Sequence, residues 1–201
     1  MRGAHGATGW DAMGVSERKQ RHRETRERRI VEAARQIAER EGWGAVTIRR
    51  LADEIEYSQP VLYTHYANRE AIVAAVAVHG FAEIAQVLRD AVQGAPDPVA
   101  ATGRAADAYL SFAAEHPALY EAMFVLPTGL RFGKEDTIAP LREAFAALAA
   151  VVAPFHAETG AATEFFWSAL HGLAELDRTG RIRPEARAER LAFLIRAVVT
   201  P

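Results

Sequence analysis

The stretch that decides the fold is Thr47–Tyr66, with the sequence TIRRLADEIEYSQPVLYTHY. It contains two short helical patterns separated by a tight break. Thr47 can cap the first helix, whose apolar residues recur at helical spacing: Ile48, Leu51, Ala52 and Ile55. Ser58 can cap the second, and Pro60 lies in its first turn, where a missing N–H costs nothing. The pattern predicts two helices of about seven to nine residues joined by about three residues.

Such a pair of helices is a helix-turn-helix. In this motif the second helix enters the major groove of DNA and the first crosses the backbone. The break between the helices contains Glu56. A left-handed backbone there would cost a non-glycine residue on the order of 1 kcal/mol. The residues therefore predict a DNA-reading motif and leave the geometry of its turn open.

The motif lies within a longer segment, Thr25–Val76, which resembles the N-terminal DNA-binding domain of the TetR family of bacterial transcriptional regulators. The most diagnostic part is LYTHYANREA at residues 62–71. The family commonly has glycine in the turn, where this chain has Glu56. The resemblance implies a three-helix DNA-binding head followed by an all-helical domain for ligand binding and dimerisation.

Nine residues form the predicted DNA-binding set. They are Thr47, Arg49, Ser58, Gln59, Pro60, Val61, Tyr63, His65 and Arg69. A glutamine can read an adenine edge, and the small apolar side chains that follow Gln59 can touch thymine methyl groups. Arg49 projects from the first helix and could reach guanine or phosphate.

The resemblance implies phosphate contacts for Tyr63, His65 and Arg69. The N-terminus of a helix capped by Asn68 would add backbone donors beside them. The alternative for Tyr63 and His65 is packing within the head.

Composition sets the limits on other functions. Of 201 residues, 50% are hydrophobic and 25% charged, which is typical of a globular protein, and there is no cysteine. Thiol catalysis and cysteine-zinc sites are therefore excluded. No charge-free run is long enough to span a bilayer and no secretory signal is visible, so a cytoplasmic protein without a membrane partner is expected.

Charge is distributed unevenly along the chain. Residues 1–50 carry 12 Arg and Lys against 7 Asp and Glu, and residues 51–201 carry 12 against 19. The basic part is the part that contains the helix-turn-helix, as expected for a DNA-binding protein. Residues 17–29 hold seven of these basic residues, which indicate either a solvated start of the first helix or an arm that follows phosphates or enters a minor groove.

The predicted organisation is all-α with three regions. Residues 1–22 are a disordered basic arm, residues 23–76 the helix-turn-helix head, and residues 77–201 a helical ligand-binding and dimerisation domain. A first helix carries Ile30 and Ile37 and ends near Gly42. Helices are then predicted at about 69–92, 98–115, 117–124, 136–155, 160–178 and 184–200.

The segment 165–173, FFWSALHGL, is apolar on nearly every side, so one side is expected to pack on its own domain and the other on a partner subunit. It resembles the Trp-x-x-x-His-Gly signature of one TetR branch. A homodimer interface is predicted from two helices, through Phe165, Leu170, Leu173, Leu191, Leu194, Ile195 and Val198.

A ligand cavity is predicted in the same domain. Its expected lining is Phe112, Tyr120, Met123, Phe124, Trp167 and His171, with Tyr109, His116 and Phe145 as further candidates. The alternative is that these residues are plain core, and that His171 is a core histidine bonded to a neighbour.

The function expected from these features is transcriptional regulation. The chain is expected to be a repressor, released from double-stranded operator DNA by a small, largely apolar effector. A DNA-binding regulator without an effector, and a helical enzyme or carrier, are the alternatives. No catalytic motif is present, and the histidines are too scattered for a metal site, so no enzyme activity, cofactor or metal is predicted.

Overall fold

A computed structural model describes the backbone of residues 9–200 and the side chains of residues 17–200. Over this range the protein is helical, as predicted, and no strand occurs. The helices are α1 (Gly9–Glu41), α2 (Ile48–Glu54), α3 (Gln59–Tyr63), α4 (Arg69–Ala91), α5 (Pro98–Glu115), α6 (Pro117–Phe124), α7 (Ala139–Val152), α8 (Thr159–Arg178) and α9 (Arg187–Val199). Short 3₁₀ turns occupy Trp43–Ala45 and Pro184–Ala186.

Side-chain caps and prolines set the starts of these helices. The Thr47 hydroxyl accepts from the backbone N–H of Arg50 at 3.1 Å, and Asp97 accepts from that of Ala100 at 2.7 Å. Asn68 does the same at the start of α4, 2.8 Å from the N–H of Ala71. Each cap satisfies one of the donors that a helix N-terminus leaves unpaired.

The chain forms two units, one ending at Val73 and one beginning at Ala74. In the first, α1 packs on the turn at Trp43 and on α2, and α2 packs on α3. Its core is mainly apolar, and its buried side chains include Ile30, Ile37, Trp43, Val46, Leu51 and Leu62. This unit is the predicted helix-turn-helix head.

In the second unit α5 is the central helix and packs against α7, α8 and α9. Helices α7 and α8 form an αα-hairpin. Helix α4 comes very close to α6 at Gly80, where an added Cβ would lie 2.5 Å from Sδ of Met123. Only glycine allows this approach without displacing a neighbour.

Helix α1 begins earlier than the sequence predicted. Residues 9–22 are helical, where a disordered arm was expected, and residues 1–8 lie outside the described part of the chain. Pairs one turn apart support the extension: Arg21 with Glu17 at 3.6 Å, and Arg23 with Glu27 at 2.8 Å. Such pairs stabilise an exposed helix by a few tenths of a kcal/mol each.

Helix α4 is the one helix of the described residues that is long and apolar enough to cross a membrane by length and composition. Half of its most apolar window is buried inside the protein. A core helix passes the same test, and Ile72, Phe81 and Ile84 of α4 are core residues.

The turn of the helix-turn-helix has a left-handed residue. Glu56 has φ 57°, the one positive φ among non-glycine residues of the described chain. The N–H of Tyr57 donates to the carbonyl of Ala52 at 2.9 Å, so α2 ends in a Schellman motif with Glu56 at the position that glycine normally takes. The free-energy cost of a left-handed backbone at a non-glycine residue, anticipated from the sequence, therefore applies at Glu56.

Replacing Glu56 by glycine should relieve this strain. We expect Glu56→Gly to be about 1 kcal/mol more stable than Glu56→Ala, because both lose the carboxylate and only alanine keeps the Cβ. Urea unfolding followed by circular dichroism measures the difference. The same pair at exposed Glu24, inside α1, should show the opposite order; an alanine advantage at both positions would contradict the strain at Glu56.

Candidate nucleic-acid interface and ligand cavity

Helix α3 exposes the side chains that sequence assigned to base reading. Gln59 and Pro60 are exposed, Val61 is half-buried, and Tyr63 is 54% exposed. Leu62 alone points into the core. One face of a single helical turn therefore anchors α3, and the rest is free to enter a groove.

The residues flanking α3 add polar groups to the same surface. Ser58 occupies the N-cap position, yet its hydroxyl makes no capping bond, so it is available to a phosphate or base. Arg49 is exposed, and within the described residues it has no salt bridge, whereas its neighbour Arg50 pairs with Glu41 at 3.0 Å. Arg49 is thus the unneutralised cation of α2.

His65 and Arg69 differ from the expectation of free phosphate contacts, since both have partners inside the unit. The His65 side chain is 5% exposed and its Nδ1 lies 3.2 Å from Oε1 of Glu27. Burial disfavours the Glu27 carboxylate, but hydrogen bonds from Arg23 and His65 outweigh it and lower the pKa of Glu27 below its ordinary value.

The Arg69 guanidinium ties the start of α4 to the turn before α2. Its Nε donates to the carbonyl of Val46 at 2.8 Å, and its Nη2 to the carbonyl of Trp43 at 2.6 Å. These bonds use two of the five N–H donors of the guanidinium and leave three for other partners. The family pattern indicates which residue stands here, but not which intramolecular partners it takes.

A contact that sequence reasoning did not anticipate joins α1 to the turn of the motif. Arg29 Nη1 donates to the Tyr57 hydroxyl at 3.1 Å, and its guanidinium lies 5.1 Å from the centre of the Tyr57 ring. Tyr57 immediately precedes Ser58, so this contact supports the residues that start α3.

The second unit contains a cavity of about 690 Å³. Aromatic and aliphatic side chains of five helices and of the loop before α7 form most of its wall. They include Phe81, Ile84 and Leu88 of α4, Tyr109 of α5, Phe124 of α6, Phe132 of the loop, Leu141, Phe145 and Leu148 of α7, and Trp167 of α8. Lys134, Arg142 and Glu164 supply charges to its lining. The volume and lining are those of a small-molecule site.

Of the six residues predicted to line a ligand cavity, Phe124 and Trp167 do so. Phe112, Tyr120 and Met123 are buried core residues outside the lining, and His171 also lies outside it. Aromatic spacing on a helix predicts burial, but it cannot tell a packed wall from an open one. The further candidates Tyr109 and Phe145 do line the cavity, while His116 does not.

A chain of hydrogen bonds leads from the cavity wall into the core. Trp167 Nε1 lies 3.1 Å from the Tyr109 hydroxyl, which lies 2.9 Å from that of Tyr120, which in turn lies 2.7 Å from Nδ1 of His171. The indole N–H can only donate, so Trp167 donates to the Tyr109 hydroxyl. Either tyrosine hydroxyl can donate to the other, and the tautomer of His171 decides whether Nδ1 accepts from or donates to Tyr120. Burial raises the pKa of both tyrosines, so both remain hydrogen-bond donors.

The predicted dimer face needs correction. Leu170, Leu194 and Val198 are buried within the protomer, so they hold α8 and α9 in their own domain. The exposed apolar residues on these helices are instead Phe165, at 59%, Leu176 and Phe193, at 68%. With Ala169, Gly172 and Leu173 they border an open groove between α8 and α9. Leu170, Leu194 and Val198 are therefore core residues of the protomer, and the assignment of the dimer interface to α8 and α9 stays a prediction.

Comparison with known proteins agrees with this architecture. Residues 30–76 match the family described as bacterial regulatory proteins, tetR family, and residues 102–198 match the tetracyclin repressor-like C-terminal domain. An uncharacterized HTH-type transcriptional regulator of Mycobacterium tuberculosis is 35% identical over 156 residues, which cover 75% of this chain and 69% of the relative. The protein is a DNA-binding transcriptional regulator, and it belongs to the TetR family. Its assignment to the Trp-x-x-x-His-Gly branch stays a prediction.

Solved structures share the fold. A protein of unknown function from Rhodococcus sp. RHA1 superposes with a TM-score of 0.70 at 22% identity, over 87% of this chain and 95% of that one. RolR, solved in complex with the ligand resorcinol, gives a TM-score of 0.63 at 14% identity, over 90% and 91% of the two chains.

The half-buried His171 at the end of the hydrogen-bond chain predicts a pH dependence. Burial lowers the pKa of His171 from 6.5, against the field of Glu175. The folded protein therefore binds a proton at His171 less tightly than the unfolded chain does. The contribution of neutral His171 to the free energy of unfolding is fully present above about pH 6.5 and is lost as the pH falls below that value.

We expect the urea midpoint to fall between about pH 7.5 and about pH 5.5, and to fall less in His171→Gln, since Gln can accept from Tyr120 without titrating. His79→Gln, at an exposed position, is the matched control and should keep the wild-type dependence. An identical pH profile in wild type and His171→Gln would show that His171 is not the titrating group.

Proposed function

We propose that this regulator is a repressor that binds operator DNA as a homodimer in the cytoplasm, and that a small, largely apolar ligand releases it. The observation that carries the ligand response is the composition of the cavity wall, to which α4 contributes Phe81, Ile84 and Leu88. The same helix begins at Arg69, which is bonded to the DNA-reading unit. A ligand in the cavity would therefore touch the helix that starts in that unit.

The proposed DNA contacts are assigned to residues according to the solvent exposure of their side chains. Gln59, Pro60 and Val61 read base edges, since they lie on α3 outside the core. Thr47, Arg49, Ser58 and Tyr63 contact the backbone around them. His65 and Arg69 hold the elements around this surface in place. His65 does so through Glu27, and Arg69 through the carbonyls of Trp43 and Val46.

The proposed release is a shift between two positions of α4. A dimer reads two half-sites only if its recognition helices keep a compatible spacing. A ligand favours the position of α4 that gives the cavity more room, and it can shift the equilibrium only by its differential affinity for the two states, typically about 1–3 kcal/mol. The complex of RolR with resorcinol supports a small ligand for this fold.

The proposed dimer joins the exposed faces of α8 and α9 of two copies. Phe165, Leu176 and Phe193 would be covered in an isologous four-helix contact. Large apolar side chains grouped around a groove on a monomer mark an interaction site.

The DNA assignments predict two different mutant phenotypes. Gln59→Ala should cost roughly 1–3 kcal/mol at one base pair and relax the preference there. Tyr63→Phe should weaken binding to all sequences by about 1 kcal/mol, because it removes one hydrogen bond without changing the base-reading surface. Fluorescence anisotropy on the operator, obtained by selection from random duplexes, and on its single-base variants measures both effects. Equal loss of sequence preference in the two mutants would contradict the division.

The cavity assignment predicts the effect of filling it. Ala144 lines the cavity, so Ala144→Phe should abolish the thermal shift caused by small apolar compounds and leave operator affinity near that of the wild type. Ala150→Phe places the same side chain at an exposed position of α7 and is the control. If Ala144→Phe still responded to the compounds with unchanged affinity, the effector site would lie elsewhere.

The proposed dimer face predicts that the same substitution has different effects at the adjacent residues Phe193 and Leu194. Phe193→Asp should sediment as a monomer while keeping its helicity, because Phe193 is 68% exposed in the protomer. Leu194→Asp should unfold the domain, because Leu194 is 6% exposed and the charge would be buried unpaired. A dimeric Phe193→Asp protein would exclude this face.

A further inference from the structure

The N-terminal part of α1 carries a concentrated positive charge. Residues 17–29 contain seven Arg and Lys and three Glu, a net charge of +4 in a chain whose total is −2. All these side chains are exposed except that of Glu27. An exposed helical segment gains little from packing, so its charges are free to bind a partner.

The charges are sorted by side of the helix. At about 100° per residue, Arg18, His22, Arg26 and Arg29 fall within about 80° of one another, and Lys19 lies about 20° beyond them. Glu17, Glu24 and Glu27 fall on the opposite side, roughly 180° away. We call the five basic residues Arg18, Lys19, His22, Arg26 and Arg29 the basic stripe.

The glutamates are occupied along the helix itself. Glu17 pairs with Arg21 at 3.6 Å, Glu24 accepts from Gln20 at 2.9 Å, and Glu27 accepts from Arg23 at 2.8 Å. Within the described side chains, Arg18, Lys19 and Arg26 of the basic stripe have no carboxylate partner. The stripe therefore contains three cations that no carboxylate among the described side chains neutralises.

The stripe borders the side of α1 that faces the core of the first unit. Ala33 and Ile37 are buried and lie at similar angles around the helix. The buried residues of α1 as a whole, which also include Ile30, Val31, Ala34 and Ala38, are centred about 90° from the stripe. Arg29, the last residue of the stripe, bonds the Tyr57 hydroxyl at 3.1 Å, directly before α3. The stripe therefore extends from the start of the recognition helix along one side of α1.

We propose that the basic stripe is a second DNA-binding surface, which holds the phosphate backbone of the duplex flanking the half-site read by α3. The proposal rests on the proposed DNA-binding function of the first unit. From Arg29 to Arg18 the helix rises about 16 Å, long enough to follow several phosphates. The contact is electrostatic and independent of sequence. A straight helix binds along the backbone and does not insert into the minor groove as an extended arm does.

Two double variants with the same net charge distinguish the effect of the basic stripe from the effect of losing two positive charges. Arg18→Gln with Arg26→Gln removes two cations of the stripe; Arg21→Gln with Arg28→Gln removes two from another side of the same helix. Because arginine and glutamine have similar helix propensities, α1 should persist in both, which circular dichroism checks.

Affinity is measured as a function of salt on two duplexes, one trimmed to the selected operator and one extended by about one helical turn at each end. On the extended duplex, the stripe variant should flatten the slope of log K against log salt by about 1.8 per protomer, which corresponds to two phosphates, and the control variant should change it little. On the trimmed duplex the two variants should be alike.

Equal slopes for the two variants on the extended duplex would overturn the proposal, as would a wild-type slope that does not depend on duplex length. Co-sedimentation with phosphatidylserine vesicles that the stripe variant abolishes, with an unchanged DNA slope, would assign the stripe to a membrane surface and also overturn it. If wild-type protein did not prefer the operator to a scrambled duplex, the proposed function itself would fail. If that preference held while the slopes were equal, only the role of the stripe would fail.

Discussion

The hydrogen bonds from Arg69 to the carbonyls of Trp43 and Val46 are the interaction on which the rest of the account depends. They are charge-assisted bonds to backbone groups, so they resist small changes in neighbouring side chains. They attach the first turn of α4 to the unit that carries α3. Three turns later the same helix contributes Phe81 and Ile84 to the cavity wall. Helix α4 thus starts in the first unit, and its middle contributes to the wall of the cavity.

The second unit contains a cavity, and hydrogen bonds hold some of the aromatic side chains of its wall. Trp167 and Tyr109 face the cavity, and their polar atoms are already bonded to each other. The wall therefore offers a ligand mainly apolar surface, with polar groups at Lys134, Arg142 and Glu164. Tyr120 and His171, although outside the lining, hold those two aromatic residues in place.

The fold could be predicted almost entirely from the sequence, because capping residues, prolines and apolar spacing act locally. Thr47, Asp97 and Pro117 fix helix starts without help from distant residues. The surface of α3 was predictable for the same reason. The partners of Arg69 and His65 were not, since they come from residues far apart in the chain. Leu194 and Phe193 show the same limit: adjacent apolar residues take opposite roles, and only tertiary packing decides which is buried.

The most direct test of the link through α4 is the reciprocity of ligand and DNA. Calorimetry would measure the affinity of the first compound identified by thermal shift, for the free protein and for its operator complex; anisotropy would measure operator affinity with and without the compound. If the compound weakens DNA binding by some factor, operator DNA must weaken compound binding by the same factor, about 5- to 150-fold for a typical coupling. A compound that binds in the cavity with equal affinity in both states would contradict the account.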